Sequence, residues 1–248
     1  MPSLERKENI LPASILIAGT VLALAIYAKV PTDQKIVINP VKHAEAATLP
    51  TWGDLGKQMI ETGVIDESRF RAVYESRGKL TQEMEDMLTG VEVGEVIMTE
   101  ENAGFLLNLL WALGLGNKNP ILEEGEMVNP RYGGAGNFAS TGGWTLAVGG
   151  PMDHYSAHEF VVLTPEEQER VDRTSRNIYR PCCVNSAHFP DCNHGMAMLA
   201  LLELMASQGA SEQEMYEMAV TVNSYWFPGY TDTVPSVRSV PQVSGCGV

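Results

Sequence analysis

The sequence predicts a mainly α-helical chain: an N-terminal transmembrane helix followed by a helical-bundle domain built from αα-hairpins, with a long Gly-rich loop. Three observations predict it. An uncharged apolar run occupies Ile10 to Ala28. Beyond residue 50, apolar side chains recur at helical spacing between capping signatures. One stretch dense in glycine, Arg131 to Trp144, separates the helical segments on its two sides.

The uncharged run, as a helix rising 1.5 Å per residue, spans about 28 Å, close to a bilayer core. Arg6 and Lys7 precede it, and Tyr27 and Lys29 close it as interfacial anchors. Lys29-Val30-Pro31 stands where a cleaved signal peptide has small residues, so the run is expected to remain as a signal anchor. The expected organisation is a short tail (1–9), a transmembrane anchor (10–28), a tether (29–50), a helical extracytoplasmic domain (51–228) and a flexible C-terminal tail (229–248). The chain is thus expected at the cell membrane as a single-pass protein, with its large domain on the extracytoplasmic side.

Composition narrows the partners. Of 248 residues, 44% are hydrophobic and 19% charged, an ordinary folded balance. Seventeen basic residues against 31 acidic ones leave a net charge of −14, which repels phosphate backbones and anionic lipid. Nucleic acid is therefore not an expected partner; a metal ion or an exported thiol protein is, with the membrane contacted through residues 10–28.

Within the domain, Trp52, Leu55, Met59 and Ile60 repeat at helical spacing, and Gly63 ends that helix. Asp66 and Glu67 place acids at the positive end of a second helix carrying Phe70, Val73 and Tyr74. Thr81-Gln82-Glu83-Met84 caps a third, reaching Leu88, and Val91–Met98 alternates as a short strand does. Phe105 to Leu115 is apolar all round and predicts a buried central helix.

From Gly116 to Pro151 the chain reads as loop. The G-G-A-G-N-F run lacks a preceding apolar strand and the G-x-G-x-x-G or G-K-[ST] spacing, so it carries no nucleotide motif. A surface loop folding over the core is the expectation, and the sequence leaves open whether residues 131–144 cover the cysteine site. His154 and His158 stand four apart, as two ligands on one helix face would. Thr164-Pro165-Glu166-Glu167 is the better helix start, however, so both are expected in extended chain as hydrogen-bonded histidines. That helix runs to about Tyr179, and Pro181 halts it. Asp191 is expected to cap the next helix, which ends at Gly209, and Ser211-x-x-Glu214 opens the last.

The chemistry concentrates in Pro181–Met198, P-C-C-V-N-S-A-H-F-P-D-C-N-H-G-M-A-M. Cys192 and His194 fall at a helix N-terminus, where backbone N–H groups favour a thiolate. Three readings stand. Cys182 or Cys183 bonds Cys192, and another disulfide reaches Cys246, stapling a non-catalytic interaction domain. Alternatively, Cys182, Cys183, Cys192 and His194 hold zinc or copper(I), with His188 and Met196 as accessory ligands. In the third, Cys183 and Cys192 cycle as a thiol–disulfide oxidoreductase. C-x-x-C-H is absent, so haem attachment is not expected.

Y-R-P-C-C, L-L-E-L-M-A-S-Q-G-A-S-E-Q-E-M and S-Y-W-F, within residues 179–230, resemble the helical thiol-bearing module of cytochrome c maturation proteins. The layout is also similar to exported proteins with a P-C-Y-C-G-C segment. Adjacent cysteines and a distant Cys192 replace the Cys-x-x-Cys of that module. The resemblance implies an all-helical bundle outside the cell with a role in metal or cytochrome maturation. The function expected is binding of a soft transition metal, or handling of thiols, at the Cys/His cluster.

Overall fold

Two helices without a polar face organise the molecule. In the computed structural model, which describes residues 47–227 apart from 77, 79 and 184, these are α4 (Ala103–Gly116) and α7 (Asn193–Ser207). A helix apolar all round must be covered all round, and each is the other's principal partner. They meet closely at Gly114, where an added Cβ would lie 2.3 Å from the Met196 carbonyl oxygen. Leu109, Leu113, Met196, Leu199 and Leu202 are fully buried along the seam.

The other described helices surround this pair. They are α1 (Leu55–Glu61), α2 (Glu67–Glu75), α3 (Gln82–Thr89), α5 (Pro120–Glu124), α6 (Pro165–Ser175) and α8 (Glu212–Trp226). The expected caps form: Asp66 accepts from the Arg69 N–H, Thr81 from Met84, and Thr164 and Ser211 complete capping boxes with Glu167 and Glu214. The hairpin expectation needs adjustment, because α1 packs chiefly on α3 and α7 on α4 and then α6. The Trp52 indole N–H donates to the Met87 carbonyl at 2.9 Å, fastening the α1 entry to α3.

Two elements differ from expectation. Ala47–Leu49, inside the expected tether, is a strand, β1, pairing antiparallel with β2 (Val96–Met98) in the register Ala47↔Met98 and Leu49↔Val96. Helix α5 lies where only loop was expected; Asn119 caps it by accepting from Ile121, and Pro120 sits at its first position. At the far end Gln208 clamps Thr51 doubly, its Oε1 accepting from the Thr51 N–H and its Nε2 donating to the Thr51 carbonyl.

One acid is enclosed. Glu203 on α7 is fully buried and accepts from Asn117 Nδ2 at 3.0 Å and from Asn119 Nδ2. Burial pushes its carboxyl up to about 8, against the two amide hydrogen bonds.

The membrane expectation is corrected. The anchor at residues 10–28 lies outside the described residues, as do the tail segments. Among the described residues no helix is long and apolar enough to cross a membrane. Helix α4, the most apolar, has 14 residues, about 21 Å at 1.5 Å each. The fold class is a mainly helical domain with a two-stranded ribbon, and the signal-anchor and single-pass membrane assignments do not carry over.

Candidate metal centre

The cysteine loop is wound around a buried arginine. Helix α6 ends at Ser175, ahead of Tyr179, and the chain returns on itself through a bridge between Tyr179 and Ser186. Between them Arg180 turns inward, its side chain wholly shielded from solvent. Its guanidinium donates to the carbonyls of Asn185 (3.2 Å), Ser186 (3.3 Å) and Phe189 (2.8 Å), to Asp191 Oδ1 (2.9 Å) and to Cys192 Sγ (3.0 Å). A planar fork of five N–H donors can do this; no other side chain can. Gly195 is required beside it, since a Cβ there would stand 1.8 Å from Arg180 Nη1.

This arrangement corrects the expected start of α7. Cys192, in extended conformation, is the N-cap, and its carbonyl accepts the Met196 N–H. Asp191 faces the loop instead, with Oδ2 accepting from Asn185 Nδ2 at 2.7 Å. The carboxylate forms the ion pair that compensates the buried guanidinium.

Around Cys192 the soft ligands converge. Cys182 Sγ lies 3.6 Å from Cys192 Sγ, and Cys183 Sγ lies 3.3 Å from Cys182 Sγ. The ligand atoms of Cys182, Cys192 and His194 all fall within 4.8 Å of one another, as do those of Cys183, Asp191 and Cys192. The Cys/His cluster could therefore hold a metal ion. Cys182 is exposed, Cys192 buried and His194 half-buried. The His194 ring rests against Trp226 and Phe227 at the end of α8, at 5.7 and 4.5 Å between centroids.

Electrostatics favour one thiolate. The Cys182 thiol donating to it holds Cys192 well below the usual thiol range, against burial, with help from His194, Arg180 and the Gly195 N–H. Cys182 is pushed up by that same hydrogen bond and by burial.

The local staple expected from Cys182 or Cys183 to Cys192 is corrected. Cys182 and Cys192 are both thiols, and their 3.6 Å separation exceeds the roughly 2.05 Å of a disulfide. No disulfide joins two of the described cysteines. Cys183 Sγ stands in the second of the two ligand groups, with Asp191 and Cys192. Cys246 lies outside the described residues.

The accessory ligands are placed elsewhere. His188 Nε2 donates to Asp172 Oδ1 at 2.8 Å, tying the loop to α6. Met196 is fully buried, its side chain against Gly114. The Gly-rich loop does meet the cysteine loop. Tyr132 stacks on Phe189 at 5.3 Å, Phe138 meets Phe189 edge-on, and the Ser140 N–H donates to the Asp191 carbonyl at 3.1 Å. It buttresses the Phe189–Asp191 side and leaves Cys182 exposed. In the sequence Arg180 stands out only as the arginine directly before P-C-C and Asp191 only as a helix cap; here they pair with each other beside Cys192.

His154 lies in a turn and His158 in an isolated bridge to Asn117, where extended chain was expected for both, and the two rings touch. His154 Nδ1 stands 3.2 Å from His158 Nε2, and His154 Nε2 stands 2.9 Å from the Val148 carbonyl. No protein-family model, no curated protein and no solved structure matches this chain.

Proposed function

We propose that this protein binds a soft transition metal, zinc or copper(I), through Cys182, Cys192 and His194. The observation that carries the reading is the spacing of the two sulfurs. Thiolates each about 2.3 Å from one tetrahedral zinc stand roughly 3.8 Å apart, and Cys182 and Cys192 stand 3.6 Å apart. Two thiolates and an imidazole suit zinc or copper(I) by softness, and leave a position open on the side of exposed Cys182. Asp191 is not a ligand in this reading, because Arg180 and Asn185 already occupy its two oxygens. Arg180 lowers the negative charge that two thiolates would gather, and its N–H fixes the Cys192 sulfur, as outer-shell partners of metal ligands do. The resemblance of residues 179–230 to a thiol-bearing maturation module points the same way.

Metal analysis of the reduced protein tests it. One equivalent of zinc or copper(I) is expected in the wild type and none at this site in Cys192→Ser. Reduced, folded protein that retains neither metal at this site would overturn the reading.

A thiol-transfer reading is favoured by one observation, the Arg180 contact that stabilises a Cys192 thiolate. In metal-free protein it requires Cys192 to be the cysteine that attacks disulfides first, with Cys182 as its neighbour. Mass mapping after brief exposure to a small aromatic disulfide decides it: adducts on Cys192 support it, and none on Cys192 exclude it.

A further inference from the structure

We propose that His154 and His158 form a second metal site, for a divalent ion of the zinc or copper(II) class. The two nitrogens that face each other are 3.2 Å apart. Imidazole nitrogens on one tetrahedral zinc, each about 2.0–2.1 Å from it, stand roughly 3.3 Å apart. The pair is spaced to close on an ion with little movement.

The tautomers favour it. A carbonyl oxygen can only accept, so His154 Nε2 carries the proton it shares with Val148 and Nδ1 presents a lone pair toward His158. An imidazole that donates its far N–H to a backbone carbonyl is the usual support of a metal-bound histidine. In the metal-free chain His158 Nε2 donates into that lone pair. When the ion enters, the His158 proton moves from Nε2 to Nδ1, and both rings remain neutral. Net charge of −14 raises the local concentration of cations.

The backbone makes the pairing rigid. The N–H groups of Ser156, Ala157 and His158 donate to the carbonyls of Leu115 and Gly116 at the end of α4, and Lys118 donates back to His158. Between the histidines, Ser156 is the only described non-glycine residue at positive φ, +52°. That conformation is disfavoured for a residue with a Cβ, and such residues cluster at binding sites. Here it turns the chain so that residues outside any helix meet as an i, i+4 pair would. His154 is buried and His158 half-exposed, so an ion arrives from the His158 side and completes its shell with water.

Zinc titration of the full-length reduced protein at neutral pH tests the site. Bound equivalents are read by competition with a chromophoric chelator, and the ring nitrogens by 15N NMR. Wild type is expected to shift the His154 Nδ1 and His158 Nε2 resonances, and His158→Ala to bind one equivalent fewer. Cys192→Ser removes a different equivalent and leaves those shifts in place, so loss of one site is read separately from the other. An unchanged count in folded His158→Ala overturns the proposal. Should that variant not fold, absence of the two ring shifts in wild type overturns it.

Discussion

At the scale of single residues, Arg180 holds more of the site than any ligand does. Removing it leaves Asp191 with an uncompensated half-buried charge and takes the side-chain donor from three loop carbonyls, each of which keeps one backbone N–H. Arg180→Ala should cost about 3–5 kcal/mol of stability, by analogy with breaking other buried ion pairs, read from urea unfolding. Arg180→Lys should recover only part, because a point-like ammonium cannot span five acceptors. Glu203 makes a second prediction. Its pKa, about 8 folded, is raised from an ordinary 4.5, so the native state binds the extra proton between those values. Its contribution is full below about pH 4.5 and is lost as pH rises toward 8, at roughly 1.4 kcal/mol per unit. In Glu203→Gln, stability measured across that window should lose this slope. Arg180 stood out in sequence only as the arginine before P-C-C, and Glu203 did not stand out at all. Glu203 reads as a surface position in L-L-E-L-M until Asn117 and Asn119, 86 and 84 residues distant, are brought to it.

Among elements, the α4–α7 crossing is the one on which the site depends, because α7 begins at Cys192. Gly114→Ala would put a Cβ 2.3 Å from the Met196 carbonyl and force the helices apart. Overpacking of this kind costs about 1–3 kcal/mol, and a lowered melting temperature with weakened metal retention is expected from that one substitution. The helix starts were legible where a local device writes them, as in Thr164–Glu167 and Ser211–Glu214. β1 was not, because three residues of strand acquire their identity from Val96–Met98, and α5 was not, because five residues carry no period. The α7 start was misplaced by one residue. Asp191 is the better cap by propensity, but Arg180 offers it an ion pair instead.

For the whole molecule, ligand binding and stability are linked. A metal that binds the folded chain alone stabilises it by about 4 kcal/mol when free metal is a thousandfold above its dissociation constant. Added zinc should raise the melting temperature, a chelator should reverse the gain, and Cys192→Ser should show less of it. The mainly helical class followed from apolar periodicity and capping, both carried by neighbouring residues. Which helices pair did not follow, since α1 on α3 and α7 on α4 depend on surface shape across the fold. The clustering of Cys182, Cys192 and His194 was legible because one short stretch of sequence, the loop and the first turn of α7, contains them all.

The guanidinium at the centre of that loop has a thermodynamic consequence. It gathers carbonyl oxygens and a carboxylate much as a bound cation would, so the loop already has its internal ion before any metal arrives. Conformational entropy lost in ordering the loop is then spent during folding and not again on binding. Calorimetry should accordingly find metal uptake with a small heat-capacity change, and far-ultraviolet circular dichroism should be the same with and without the ion. Association should be fast, limited by ligand deprotonation rather than by a search through loop conformations.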